Sequence, residues 1–183
     1  MAARLPLRAR LGAGLAVALL VVAVAGGASA IAYGTTALHV PDGGAMSSAA
    51  TSRTWFGLEL DNPSAVSATL RSVRPVVASN ARIVEARILD HEDAGDSGVG
   101  VMSPPVDGPE GAAIARARPV DGFVLPAHSR DRYQLIVLLE RIRPGTAATL
   151  RQADVRFTAL GLDHGFRSHA VLCIRAPGAR DCP

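Results

Sequence analysis

RYQLIVLLE, residues 132–140, is the clearest β-strand in this chain of 183 residues. Its apolar run is bounded by charged residues and followed by Arg143-Pro144-Gly145-Thr146, a turn signal. On the C-terminal side, residues 153–160 alternate with Val155, Phe157 and Ala159 on one face. The glycine-flanked Gly161-Leu162-Asp163-His164-Gly165 then turns the chain, so residues 166–174 are predicted to pair back as a hairpin.

On the N-terminal side the same texture recurs. Residues 122–125 form a short strand that ends at Pro126. Residues 54–60 alternate Phe56, Leu58 and Leu60, and stop at Asp61-Asn62-Pro63-Ser64, where proline fixes φ and removes an amide donor. Residues 65–73 place Val66, Ala68 and Leu70 on one face. In residues 82–89, Ile83 and Leu89 oppose Val84, Ala86 and Ile88; with both faces partly apolar, a central strand is expected. Residues 90–119 read as a long irregular stretch in which only 98–102 looks strand-like. No amphipathic helix and no internal repeat stand out.

About seven or eight short strands with turn signals between them predict an all-β, antiparallel, immunoglobulin-like β-sandwich over residues 53–183. Two packed sheets account for several strands with one apolar face, which a single sheet would leave wet. A domain of this length buries about two-thirds of its unfolded surface and needs no metal to fold.

Ahead of that domain, residues 34–52 are small, polar and glycine-rich and read as a flexible linker. Residues 11–33, LGAGLAVALLVVAVAGGASAIAY, carry no charge. As a helix they span about 34 Å, enough to cross a hydrocarbon core about 30 Å thick. Residues 1–10 contain Arg4, Arg8 and Arg10, which place this basic N-terminus in the cytoplasm. The leading reading is a single-pass transmembrane anchor with the C-terminal domain extracytoplasmic. The alternative is a signal peptide cleaved after Ala28-Ser29-Ala30, giving a secreted domain.

All 19 basic residues are arginine. Once the three N-terminal ones are set aside, 16 arginines balance 16 acidic residues, so the exported region is neutral. It has no basic stripe for a phosphate backbone, and nucleic acid is not an expected partner. The membrane, through residues 11–33, is one; other cell-envelope proteins are the others expected. Cys173 and Cys182 are the only cysteines, and in an exported chain they are expected to form a disulfide tethering the tail.

The order of anchor, linker and sandwich strands resembles small exported actinobacterial proteins with immunoglobulin-like domains. The residues that carry the resemblance are Phe56-x-Leu58-x-Leu60-Asp61-Asn62-Pro63, Phe123-Val124-Leu125-Pro126 and Val171-Leu172-Cys173. It covers most of the chain, implies topology and fold, and assigns no functional residue.

Few signals carry chemistry. Asp90, His91, Glu92, Asp93 and Asp96 form the densest cluster of hard ligands, on a glycine-containing loop, without the spacing of an EF-hand. They are read as an interaction loop, with metal binding the alternative. His164 and His169 are five apart, which puts them on opposite faces of a strand. His128 has no methionine beside it, so a soft copper site in the manner of periplasmic copper chaperones lacks its ligands. No Gly-x-Ser-x-Gly elbow occurs, and without lysine there is no phosphate-binding Gly-Lys-Ser/Thr. The expectation is therefore a non-catalytic binding or envelope-structural module with no cofactor; a metal-binding protein is second, and a hydrolase third.

Overall fold

The computed structural model describes residues 38–41, 44–94 and 98–182. The expected anchor at 11–33, the N-terminus at 1–10 and Asp96 lie outside the described residues. Among the described residues no helix is long and apolar enough to cross a membrane.

The fold is all-β. The strands run β1 (Ala45–Ser48), β2 (Arg53–Asn62), β3 (Ala68–Ser79), β4 (Ala81–Asp90), β5 (Val101–Met102), β6 (Arg118–Pro119), β7 (Val124–Leu125), β8 (Ser129–Arg141), β9 (Ala148–Ala159), β10 (Leu162–Ser168) and β11 (Val171–Ile174). Two helices, α1 (His91–Ala94) and α2 (Gly108–Arg116), flank β5. One sheet has the order β1-β11-β9-β3-β7, with β10 added to β9; the other has β5-β2-β8-β4-β6.

Strand parity explains how the five-stranded sheet is buried. Phe56, Leu58 and Leu60 of β2 stand opposite Val137, Leu135 and Tyr133 of β8, and all six are buried. Paired residues share a face, so this row turns toward the other sheet, whose Leu70, Leu150, Val155, Phe157 and Leu172 are also buried. The opposite parity of β2 and β8 carries Trp55, Gly57, Ile136 and Leu138. In a simple two-layer sandwich that face would meet water.

Instead, the segment between β4 and β6 covers it. Ala94, Val99, Ala113, Ile114 and Ala117 join Trp55, Leu89, Ile136 and Leu138 in one buried cluster, with Met102 and Val106 packed against it. The described residues of the stretch, 90–94 and 98–119, thus form a folded cap and not the irregular loop expected. In α2, Pro109 sits in the first turn, where a missing N–H costs nothing. Only Ala113 and Ile114 are buried from that helix, too short an apolar stripe to stand out by periodicity.

Two other readings need correction. The expected linker already holds β1, which pairs in parallel with β11, and His39 bridges to Asp61; the chain therefore joins the fold before Arg53, and the sheet is not purely antiparallel. Residues 166–174 are not one strand. The turn at Leu160-Gly161 is tighter than expected, β10 pairs with β9 from Leu162 onward, and β11 pairs separately with the start of β9. As expected, β4 is an interior strand, between β8 and β6, while β8 is the middle strand of the five.

Cys173 and Cys182 are bonded, with Cα atoms 6.3 Å apart, and the bond holds the tail against β11. Closing a loop of this size removes about 2–3 kcal/mol of unfolded-chain entropy. Replacing both cysteines with alanine is expected to lower unfolding free energy by about that amount. Urea denaturation of both proteins checks it; an unchanged midpoint would mean that the tail contributes nothing.

Candidate functional site

Of the acidic cluster singled out from sequence, Asp90, His91, Glu92 and Asp93 lie where β4 passes into the cap. Asp90 is the last residue of β4, and its side chain is buried. One carboxylate oxygen accepts the Glu92 N–H at 3.1 Å, and the other accepts Nη2 of Arg132 at 3.0 Å. Arg118 approaches the same oxygen at 3.9 Å and Asp93 at 3.6 Å, while Arg132 also pairs with Glu92 at 2.8 Å.

Both arginines lie over rings. Arg118 stands 5.1 Å from the centroid of Phe123, and Arg132 stands 5.2 Å from that of Tyr133. The two rings meet edge to face at 5.6 Å. The hydrogen bond to Asp90 raises the Arg132 pKa, so the guanidinium stays charged. Burial, with the Asp90 charge adding to it, pushes the Tyr133 phenol up, so it stays neutral. The three carboxylates are consequently engaged by two arginines that fasten the cap to β6 and β8. An acidic cluster held this way works as a clamp.

His91 points elsewhere. Its Nε2 lies 3.9 Å from Oε1 of Glu59 on β2. Gln134 of β8 donates to the same Glu59 oxygen at 3.4 Å, and its own carbonyl oxygen accepts the Val99 N–H at 2.8 Å. Oε2 of Glu59 and Nε2 of His91 are buried without a hydrogen-bond partner among the described residues. Close by in sequence, Asp61 accepts the Asp131 N–H at 3.1 Å and lies 4.0 Å from His39. Sequence reasoning missed Glu59 and Gln134. Their only signal is two polar residues inside otherwise apolar strands, which asks for a partner across the sheet.

Burial raises the Glu59 pKa; His91 opposes this, Asp61 and Asp131 reinforce it, and the Gln134 hydrogen bond opposes it. A carboxyl whose folded pKa lies above its unfolded value contributes stability below the unfolded pKa and loses it as pH rises through the folded pKa. Glu59→Gln is therefore expected to stabilise the domain at neutral pH and to leave it unchanged in acid below the unfolded pKa. Denaturation at pH 7 and in mild acid checks the sign; an equal effect at both pH values would show that titration is not the cause.

The two C-terminal histidines are apart in role. His164 stacks on Phe157 at 5.4 Å, and His169 lies 3.3 Å from the Gln152 amide nitrogen. Among the described residues no group of three or more His, Cys, Asp or Glu side chains is placed to hold a metal ion.

No protein-family model matches the chain. No curated protein matches it either. Among solved structures, a chain described as the Vibrio cholerae VesB protease is similar at 9% identity and a TM-score of 0.37, over 79% of this chain and 34% of that one. The chain thus aligns with about a third of that protein's length. A likeness at this level carries over neither fold nor activity.

Proposed function

We propose that this chain is a membrane-tethered, extracytoplasmic β module, related to immunoglobulin-like sandwiches, that binds other proteins of the cell envelope without catalysis. The observation that carries the reading is the Cys173–Cys182 bond, which uses both cysteines of the chain. Such bonds persist in oxidising compartments and are rare where thiols are kept reduced. The uncharged run at 11–33 behind three arginines supplies the matching route across a membrane. A tether also concentrates weak contacts at the membrane surface, so a modest interface suffices.

Fractionation of the host with the full-length chain tests the proposal. The expected result is an intact chain in the membrane fraction, cut by protease added outside, with no thiol alkylated until a reductant is supplied. Free thiols and protection from external protease would overturn it. A chain beginning near Ile31 in the medium would keep the domain extracytoplasmic but replace the tether by secretion.

The metal-binding alternative, through the 90–96 segment, has less support, because Arg118 and Arg132 already occupy the carboxylates of Asp90, Glu92 and Asp93. Calorimetric titration with calcium, copper and zinc decides between them.

A further inference from the structure

Among the described residues β10 is a long strand edge without a second pairing strand. It pairs with β9 over seven consecutive positions and with no register shift. The other edges are short or blunted. β5, β6 and β7 have two residues each and β1 has four. The open part of β3 carries Pro75 and breaks register at three places, and the open part of β4 breaks it between Ile83 and Glu85. Proline, bulges and charged side chains protect an edge against another chain. β10 has no proline and no bulge, and its two exposed charges, Asp163 and Arg167, are of opposite sign.

Its sequence, Leu162-Asp163-His164-Gly165-Phe166-Arg167-Ser168, is also complementary to itself. An antiparallel pairing of two copies, centred on Gly165, sets Asp163 against Arg167 of the second copy, twice by symmetry. His164 then faces Phe166, Leu162 faces Ser168, and glycine faces glycine. Opposite charges directly across a strand pair favour pairing, and like charges oppose it. A parallel in-register pairing would set each charge against its own kind.

The Arg167 row continues inward, whereas Asp163 stands opposite Thr158. Arg167 stands opposite Asp154 of β9, and Asp154 pairs with Arg156 at 2.6 Å. Asp163 and Arg167 are exposed, as are Leu160 and Leu162 at the hairpin tip. A two-fold axis at Gly165 would join two six-stranded sheets into one and remove an open edge from each, the isologous arrangement of most homodimers.

We infer that β10 is a self-association edge and that its partner is a second copy of this chain, paired antiparallel about Gly165. The contact is one strand long, so the dimer is weak in solution and is favoured by confinement to a membrane surface. The pairing belongs to the strand edge and holds in any compartment, so its failure leaves the export reading standing, and the reverse is equally true.

Cysteine pairing in membranes containing the full-length chain tests the register. Positions 163 and 167 of one strand are about 13 Å apart, too far for a disulfide within one chain. Directly opposed positions in two strands come within about 4.5–5.5 Å. Co-expressing an Asp163→Cys chain with a differently tagged Arg167→Cys chain and adding a mild oxidant is expected to give the mixed dimer, with neither chain linking to its own kind. Absence of the mixed dimer, or equal linking in all combinations, would overturn the inference.

Charge reversal supplies a second reading by sedimentation of the detergent-solubilised full chain. Asp163→Arg is expected to be monomeric where the parent dimerises, and the double exchange Asp163→Arg with Arg167→Asp is expected to dimerise again. Unaltered Trp55 emission controls for folding. A parent chain that is monomeric at every concentration, or a reversal without effect, would equally sink the idea.

Discussion

Trp55→Ala is expected to destabilise the domain by about 3–5 kcal/mol and to loosen the cap ahead of the sheets. Trp55 is 6% exposed and is the only tryptophan of the chain. It stands on the outer face of β2, beside Leu138 of β8 and Met102 of β5, and its cluster takes residues from the sheet and the cap alike. Removing the indole leaves a cavity between two layers. The sheet side is held by strand pairing on both edges of β8, whereas α2 contributes only Ala113 and Ile114 as buried contacts. The weaker side therefore opens first. Amide exchange should rise in 98–117 at lower denaturant than in β2 and β8, and the urea midpoint should fall. Uniform exchange across cap and sheets, or a loss below about 1 kcal/mol, would show that the cap is not held through this ring.

Why the cap was not read from the sequence follows from the same contacts. The run at 135–139 was legible as a strand because every one of its five side chains is buried. A continuous apolar run signals burial on both faces but does not say what covers them. The cover here is built from Ala94, Val99, Ala113, Ile114 and Ala117, small side chains spread over 24 residues. Ala113, Ile114 and Ala117 make only a single turn of stripe and Ala94 and Val99 none, so the segment looks like a loop until the sheet beneath it is known. Strands β2, β4, β8 and β9 were legible because local alternation and turn residues agree with the final pairing. β1 was not, since a four-residue strand of Ala-Met-Ser-Ser owes its place to the β11 edge beside it and not to its own propensity.

The chemistry was legible to a similar depth. Asp90, Glu92 and Asp93 were recognisable as a dense acidic group, but Arg118 and Arg132 lie 28 and 42 positions from Asp90 along the chain, and only folding brings them there. A carboxylate cluster read without its distant cations looks like a free interaction loop, with metal binding the alternative; read with them, Asp90, Glu92 and Asp93 are paired within the fold. The cysteines needed no distant information, because two residues nine apart in a chain with no other cysteine leave one intramolecular pairing.

Gly57→Ala is expected to cost about 2–4 kcal/mol, an unusual penalty for adding one methyl group to a strand. Gly57 lies on the capped face of β2, and a Cβ there would run into the Val99 carbonyl oxygen and meet the Gln134 amide at 2.6 Å. Strand glycines mark such close approaches of backbone, and this one fills the intervening position of the Phe56-x-Leu58 alternation. The carbonyl cannot retreat freely. Gly57 N–H donates to Gly100 O at 3.0 Å, and Val99 N–H donates to Gln134 at 2.8 Å, so moving 99–100 off the strand breaks both. Gly100 provides the control, since a Cβ there meets nothing within 4 Å. Gly100→Ala should change stability by no more than about 0.5 kcal/mol. Urea titration followed by Trp55 emission reads both effects, because lifting 99–102 exposes the indole and shifts its emission to the red. Equal midpoints for the two variants would mean that the cap is free to slide over β2. The expected difference instead makes Gly57 the position where sheet and cap are locked in register.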